Sequence, residues 1–200
     1  KFASYKQEEL VSVEETIRMK EISNQILGDY GYKENLRRVF TKDKKNISLY
    51  AYNQCCRMKD QVGFGLSAFS SLNDRFMINT PSFEEYYQRT ENGLIAANRC
   101  LIRNADQQIR WSIILTLKNY YIDKILFKKM NGVDVENVFQ KQFALLKEYG
   151  MTIEDEKSIR LTPKGAFYSD ELVHLFYEDQ HQSFPEQDFN AGVLNPYNKY

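Results

Sequence analysis

The stretch "QVGFGLSAFSSLND", residues 61–74, decides how this chain is read. It packs two glycines, two phenylalanines and three serines into a run too apolar for a surface loop and too glycine-rich for an ordinary strand. It reads as a strand breaking into a turn, with Gly63 and Gly65 two apart on one side of an extended chain. Missing side chains there leave a groove beside the backbone. A bulge or a helix packed close against the strand fills such a groove, and so does a ligand. The spacing alone is a weak signal, because no Gly-x-Gly-x-x-Gly follows.

Working outward, residues 12–30 are predicted to form a helix. Ser12 and Glu15 have capping-box spacing, Val13, Ile17, Ile22, Ile26 and Tyr30 form an apolar face, and Gly28 and Gly31 mark the end. After the polar run Lys42–Asn46, "ISLYAY" (47–52) alternates Ile47, Leu49 and Ala51 with Ser48, Tyr50 and Tyr52, as a strand does. Downstream, Pro81 and Ser82 open a short helix with Glu85 at capping-box spacing. Phe83, Tyr86, Tyr87 and Thr90 share a face of it and Gly93 closes it.

Beyond about residue 100 the pattern becomes that of a compact unit. Asp106 is placed to cap a helix running through Asn119. Asp134 is placed to cap another ending at Gly150, in which Val135, Val138, Phe139, Phe143 and Leu146 keep helical spacing. "MTIEDEKSIRLTPKG" (151–165) gives two short strands around a charged turn, and Thr162-Pro163 then starts a helix as N-cap and first residue. Helix, helix, strand, strand, helix is a winged-helix order. A groove-reading helix is basic, whereas in 135–149 Glu136 and Glu148 cancel Lys141 and Lys147. The tail from Glu178 to Tyr200 lacks periodicity and reads as a strap over a surface or a partly ordered end.

Bulk composition limits the function classes. At 42% hydrophobic and 27% charged, the 200 residues suit a globular protein with a real core. Twenty-seven basic residues balance 27 acidic ones, against a nucleic-acid binder. No apolar run approaches membrane-spanning length and no signal peptide is visible, which with the sparse cysteines predicts a cytoplasmic protein. Cys55, Cys56 and Cys100 make no disulfide framework and suit a reducing compartment. His174 and His181, the only histidines, are too distant in sequence to complete a metal set with them. Abundant Tyr and Phe, 14 and 13, serve packing in the main and offer surfaces to a flat ligand.

Read together, "GFGLSAFS" (63–70) with Asn79, "EEYYQRTENG" (84–93), "IRWSIILTLKN" (109–119) and "DEKSIRLTPKGAFYSDEL" (155–172) resemble the C-terminal part of the oxygen-independent coproporphyrinogen III oxidase family of radical S-adenosylmethionine (SAM) enzymes. The likeness runs from about residue 10 to about residue 178. It implies an α+β chain. Residues 1–100 are expected to be the last portion of a partial (β/α) barrel, 101–178 a winged-helix-like cover domain, and 179–200 a C-terminal tail. The family's cluster motif, Cys-x-x-x-Cys-x-x-Cys, is not among these residues, and the start at Lys1 fits a fragment.

The resemblance further implies a SAM- and substrate-lining role for the glycine segment. Phe69 takes the place of a hydrophobic residue that contacts SAM, and Tyr50 and Ala51 align with an upstream Phe-Gln contact pair, Ala51 lacking the amide. Gly63, Gly65, Ala68, Phe69, Tyr50 and Ala51 are thus the candidate cofactor-binding residues, with no metal ligand among them. The implied chemistry is radical oxidative decarboxylation of propionates to vinyls, in heme biosynthesis. It uses SAM and a 4Fe–4S cluster of the intact protein, a tetrapyrrole substrate and an electron-donor protein, with no nucleic acid or membrane partner. The chain by itself is expected to be inactive. Arg99, Arg103 and Arg110 are placed either to meet substrate carboxylates or to face solvent. The alternatives are a heme-chaperone, heme-degrading or methyltransferase branch, or a non-enzymatic winged-helix interaction or DNA-binding module.

Overall fold

The computed structural model describes residues 11–179; the predicted strap from 180 onward lies outside them. The chain divides into two compact units, one through Leu49 and one from Tyr50.

In the first unit, helix α1 (Val13–Asp29) starts as expected. Ser12 accepts from the Glu15 backbone N–H while the Glu15 carboxylate accepts from that of Ser12. Its predicted apolar face is not covered within this unit: Ile22, Ile26 and Tyr30 are exposed. A hairpin follows, β1 (Lys33–Leu36) against β2 (Val39–Thr41), with Arg38 left-handed in the turn. Neither strand was visible in the hydrophobic pattern.

"ISLYAY" is not a strand but the approach to helix α2 (Leu49–Cys55). Six residues of alternation are too few to separate period 2 from period 3.6. The run continues as a helix in which Leu49 and Tyr50 stay exposed and residues 51–55 are half-buried, with buried Cys56 directly after it.

The 61–74 stretch also runs in the reverse of the predicted order, turn first and strand second. Residues 62–68 are irregular, with a turn at 65–67, and β3 (Phe69–Leu72) follows. It pairs antiparallel with β4 (Arg75–Asn79), which pairs with β5 (Ala97–Ile102). Between β4 and β5 lies α3 (Phe83–Glu91), capped by Ser82 as predicted.

From Asn104 on, α4 (Ala105–Lys118), β6 (Tyr121–Asp123), α5 (Lys124–Asn131), α6 (Gln140–Glu148), β7 (Thr152–Glu154), β8 (Ser158–Leu161), α7 (Pro163–Phe167) and α8 (Ser169–Leu172) follow. Their strands form a second antiparallel sheet in the order β6-β8-β7. The cap of α4 is Asn104, not Asp106. Asn104 and Gln107 form a reciprocal capping box, whereas Asp106 is taken by Arg110 one turn on.

The predicted 135–149 helix is broken. Val135–Asn137 is a 3-10 turn, Phe139 is left-handed at φ 52°, and only then does α6 begin. Asp134 gives no side-chain cap because Lys128 takes its carboxylate. The Phe139 ring instead meets Phe176 at 5.6 Å, edge to face, so ring packing offsets its backbone strain.

A single apolar cluster anchors this region. Ile113, Leu117, Ile122, Phe127, Val135, Leu146, Ile159, Leu161, Val173 and Phe176 are all buried, and all fall between residues 113 and 176. The architecture is α+β, and every strand pairing among the described residues is antiparallel.

Candidate functional site

The glycine segment is fixed by side chains from three neighbouring elements. The Gly63 N–H donates to Ser70 Oγ on β3 at 3.0 Å, and the Gly65 N–H donates to Tyr86 Oη on α3 at 3.0 Å. Asn79, closing β4, donates its amide to both intervening carbonyls, Gly63 O at 3.2 Å and Gly65 O at 2.9 Å. Its backbone N–H reaches Ala68 O, and Ser67 N–H reaches Thr80 O. At the base, Gln61 and Ser71 exchange a pair of backbone hydrogen bonds. Asn79 is 8% exposed, so this clamp works in a setting where each unmade bond carries a desolvation cost.

A second tier holds the clamp. Buried Thr80 donates to Glu85 Oε2 at 2.6 Å, Arg89 pairs with the same carboxylate at 2.7 Å, and Arg89 Nη1 reaches Ala97 O at 3.2 Å. The Thr80 hydroxyl beside it, with Arg89 adding, holds the Glu85 carboxyl below its ordinary value against a smaller opposing effect of burial.

The two glycines do different work. A Cβ on Gly63 would stand 2.4 Å from the Phe69 carbonyl oxygen, so the close approach there is made by the chain's own backbone. Gly65 has φ +96°, which demands glycine for conformation, and open space where a Cβ would be. The expectation that both sit on one face of an extended chain is corrected accordingly. Ala68 and Phe69 follow directly, both half-buried, and the Phe69 ring leans on Phe76 with centroids 5.7 Å apart. Tyr50 and Ala51 stand on helix α2 and not on a strand beside the loop, Tyr50 being 61% exposed.

Two arginines considered for substrate carboxylates are engaged internally. Arg103 is 7% exposed, donates to Asn73 O and Gln108 Oε1, and lies 4.3 Å from the Trp111 ring. Burial lowers its pKa, with Asp74 opposing. Arg110 pairs with Asp106 and donates to the carbonyls of Phe176 and Tyr177. A cleft between α6 and the β7–β8 hairpin is lined by Glu136, Phe143, Lys147 and Glu154 among others. Its two carboxylates share a single cation, both meeting Lys124 Nζ at 2.6 Å.

No family model matches the chain. Among known proteins it is 26% identical over 139 residues to the oxygen-independent coproporphyrinogen III oxidase of Pseudomonas aeruginosa, and 29% identical over 138 residues to that of Escherichia coli. These alignments take in 66% and 67% of this chain but only 29% and 30% of the relatives. A solved Escherichia coli coproporphyrinogen III oxidase, described as a radical SAM enzyme, superposes with a TM-score of 0.64 at 21% identity. It matches over 86% of this chain and 43% of that one. The family this chain resembles is that of the oxygen-independent coproporphyrinogen III oxidases.

Against the two cofactors of the radical SAM enzymes, the residues present answer differently. Among the described residues no group of three His, Cys, Asp or Glu is placed to hold a metal. Cys56 is chemically unsuited as well: burial, with Cys55 adding, pushes its thiol up to about 12, away from the thiolate a cluster binds. An iron–sulfur cluster does not fit these residues. At the glycine segment, Gly65 has no atom within 4 Å of its Cβ position, and Gln61 Oε1 at the loop's base is a buried acceptor without a hydrogen-bond partner among the described residues.

Sequence reasoning found this loop but missed Asn79 as its clamp and Phe64 as its exposed tip. The signal for Asn79 was a polar residue ending a run of apolar strand residues, a place where side chains commonly cap open backbone. No helix among the described residues is long and apolar enough to cross a membrane.

Proposed function

We propose that this chain is the C-terminal part of a radical SAM tetrapyrrole enzyme of the oxygen-independent coproporphyrinogen III oxidase type, acting in the cytoplasm in heme biosynthesis. In this reading residues 1–100 close a partial barrel. Residues 101–178, with helices α4 to α6 ahead of the β7–β8 hairpin, are a winged-helix-like cover. The observation that carries it is the glycine segment itself. The residues that make the family likeness, Gly63 to Ser70 with Asn79, are also the residues locked into one rigid loop.

Bound SAM, with a cluster carried outside these residues, would supply the radical chemistry. The residues of this chain contribute position and exclusion of water. Gly65, Ala68 and Phe69 line the ligand edge, and Gln61 offers an acceptor. Gly63 shapes the loop without touching ligand, and Tyr50 and Ala51 contribute from α2. The partners are a tetrapyrrole and an electron-donor protein, with no role for nucleic acid or membrane.

The test has two arms. Anaerobic treatment of the isolated chain with iron and sulfide should leave it without a stoichiometric cluster and unable to cleave SAM. Joined to a cluster-bearing segment of the kind its relatives carry, the chain should support SAM cleavage and carbon dioxide release from coproporphyrinogen III. A cluster-loaded protein that cleaves SAM yet never decarboxylates that substrate would sink the assignment in favour of another branch.

A further inference from the structure

The cleft between α6 and the β7–β8 hairpin has two chemically unlike ends. Its volume is about 210 Å³, and Phe143, Ala144 and Ile159 give it an apolar lining. The chain reverses at residues 149–150 between α6 and β7, a turn closed by the Met151 N–H on Leu146 O. Residues late in α6 and early in β7 therefore share one end of the cleft, and residues early in α6 and late in β7 share the other. Gln140 and Lys147 stand about 10 Å apart along the helix. Thr152 and Glu154 stand about 7 Å apart along the strand.

The end away from the turn is acidic. Glu136 and Glu154 both meet Lys124 Nζ, and two carboxylates against one ammonium leave one negative charge uncompensated. The hydrogen bond from Lys124 holds the Glu136 carboxyl below its ordinary value, so it is ionised at neutral pH.

The turn end offers the opposite. Lys147 has no ion-pair partner and the Thr152 hydroxyl no hydrogen-bond partner among the described residues. Thr152 is only 8% exposed, so its unpartnered hydroxyl carries a desolvation cost that a ligand acceptor removes. Strand pairing does not ask for that hydroxyl, because the register of Thr152 with Leu161 is a backbone matter.

We propose that this cleft binds a small ω-amino carboxylate, its ammonium at Glu136 and Glu154, its carboxylate at Lys147 and Thr152, and its methylene chain along Phe143 and Ile159. Charge-assisted hydrogen bonds at both ends select for length as well as charge. An α-amino acid, with both charges on one carbon, reaches only one end. A cavity smaller than those of drug-sized ligands suits a free small molecule. None of these residues belongs to the glycine segment, so the site stands or falls apart from the tetrapyrrole reading.

Calorimetric titration of the full 200-residue chain with 6-aminohexanoate is the test. Saturable binding at one site is expected below about 10 mM, with hexylamine and hexanoate at least about tenfold weaker. Lys147→Gln should erase the preference for 6-aminohexanoate over hexylamine, and Glu154→Gln the preference over hexanoate. A merely structural loss would move neither preference. Glu154→Gln also leaves Glu136 to pair with Lys124, so no cation is stranded. Thr152→Val should weaken binding about threefold with the melting temperature held or raised.

No saturation by wild type overturns the proposal, as does equal affinity for 6-aminohexanoate and hexylamine. Binding that Lys147→Gln and Glu154→Gln both leave unchanged puts the ligand elsewhere and overturns it too. Tighter binding of Nα-acetyl-lysine, which sets the same two charges at the end of a peptide, would make the cleft a receptor for a protein's carboxyl-terminal lysine and overturn the small-molecule assignment.

Discussion

Two three-stranded antiparallel sheets fold in this chain by different means. The β6-β8-β7 sheet contributes Ile122, Ile159 and Leu161 to a sealed apolar core shared with α4, α5, α6 and the 173–176 turn. The β3-β4-β5 sheet buries Ser70, Ser71 and Asn79, whereas its apolar Phe69, Phe76, Met77 and Ile78 are only half-buried. One sheet is stabilised by water excluded from hydrocarbon. The other is ordered by hydrogen bonds from buried polar side chains and leaves apolar surface at its end uncovered. A sheet of the second kind is suited to meeting something, because part of its burial remains to be made.

The largest effect should come from the sealed core. Phe176 is fully buried and its ring contacts those of Phe139 and Phe143. Phe176→Ala should lose about 3–5 kcal/mol in denaturant unfolding. Amide exchange in 63–68 should change far less than exchange in α4 and β8. Equal loss of protection in both regions would break the contrast, making the two sheets one cooperative unit.

The glycine pair gives a smaller and sharper effect. Gly63→Ala drives a methyl group to 2.4 Å from the Phe69 carbonyl oxygen, so backbone must move, at about 1–3 kcal/mol. Gly65→Ala meets no atom within 4 Å and carries only the strain of φ +96°, about 1–2 kcal/mol. Melting curves of the two variants should rank Gly63→Ala below Gly65→Ala. The reverse order would mean that the loop's carbonyl packing is loose and that its conformation is what matters.

Which of these features the chain announced in advance follows from their range. Ser12, Ser82, Thr162 and the strands around Asp155 were legible because caps and tight turns are decided within four residues. "ISLYAY" was misread because alternation over six residues has no tertiary content. The 135–149 helix was misread because Phe139 is held left-handed by partners far along the chain, Phe176 among them. At the site, the glycines and Phe69 were visible as composition. The family likeness set Asn79 beside the glycine segment, but that its side chain clamps backbone 14 and 16 residues away is nothing periodicity encodes.

The smallest effect concerns acid, and it tests whether the polar sheet is held as described. Glu85 accepts from Thr80 and pairs with Arg89, tying α3 to the end of β4, with Arg89 reaching on to β5. Its carboxyl is lowered from 4.5, chiefly by the Thr80 hydrogen bond, so the folded state holds a proton less readily than the unfolded one. A group of this sign gives its full contribution above 4.5 and loses it as pH falls through the lower folded value. Asp155 supplies the control, since its carboxyl is lowered chiefly by the backbone N–H groups of Lys157 and Ser158 in the hairpin of the other sheet. On acidification, amide protection in 63–68 and at Thr80 should fade before protection at Ile159 and Leu161 in β8, whose side chains are buried in the apolar core. Glu85→Gln should flatten that early loss while leaving the acid response of the β7–β8 turn unchanged, and Asp155→Asn should do the opposite. If Glu85→Gln left the early loss as steep as in wild type, the polar sheet's acid sensitivity would lie elsewhere, and the Thr80–Glu85–Arg89 tier would be ornament to the Asn79 clamp instead of its support.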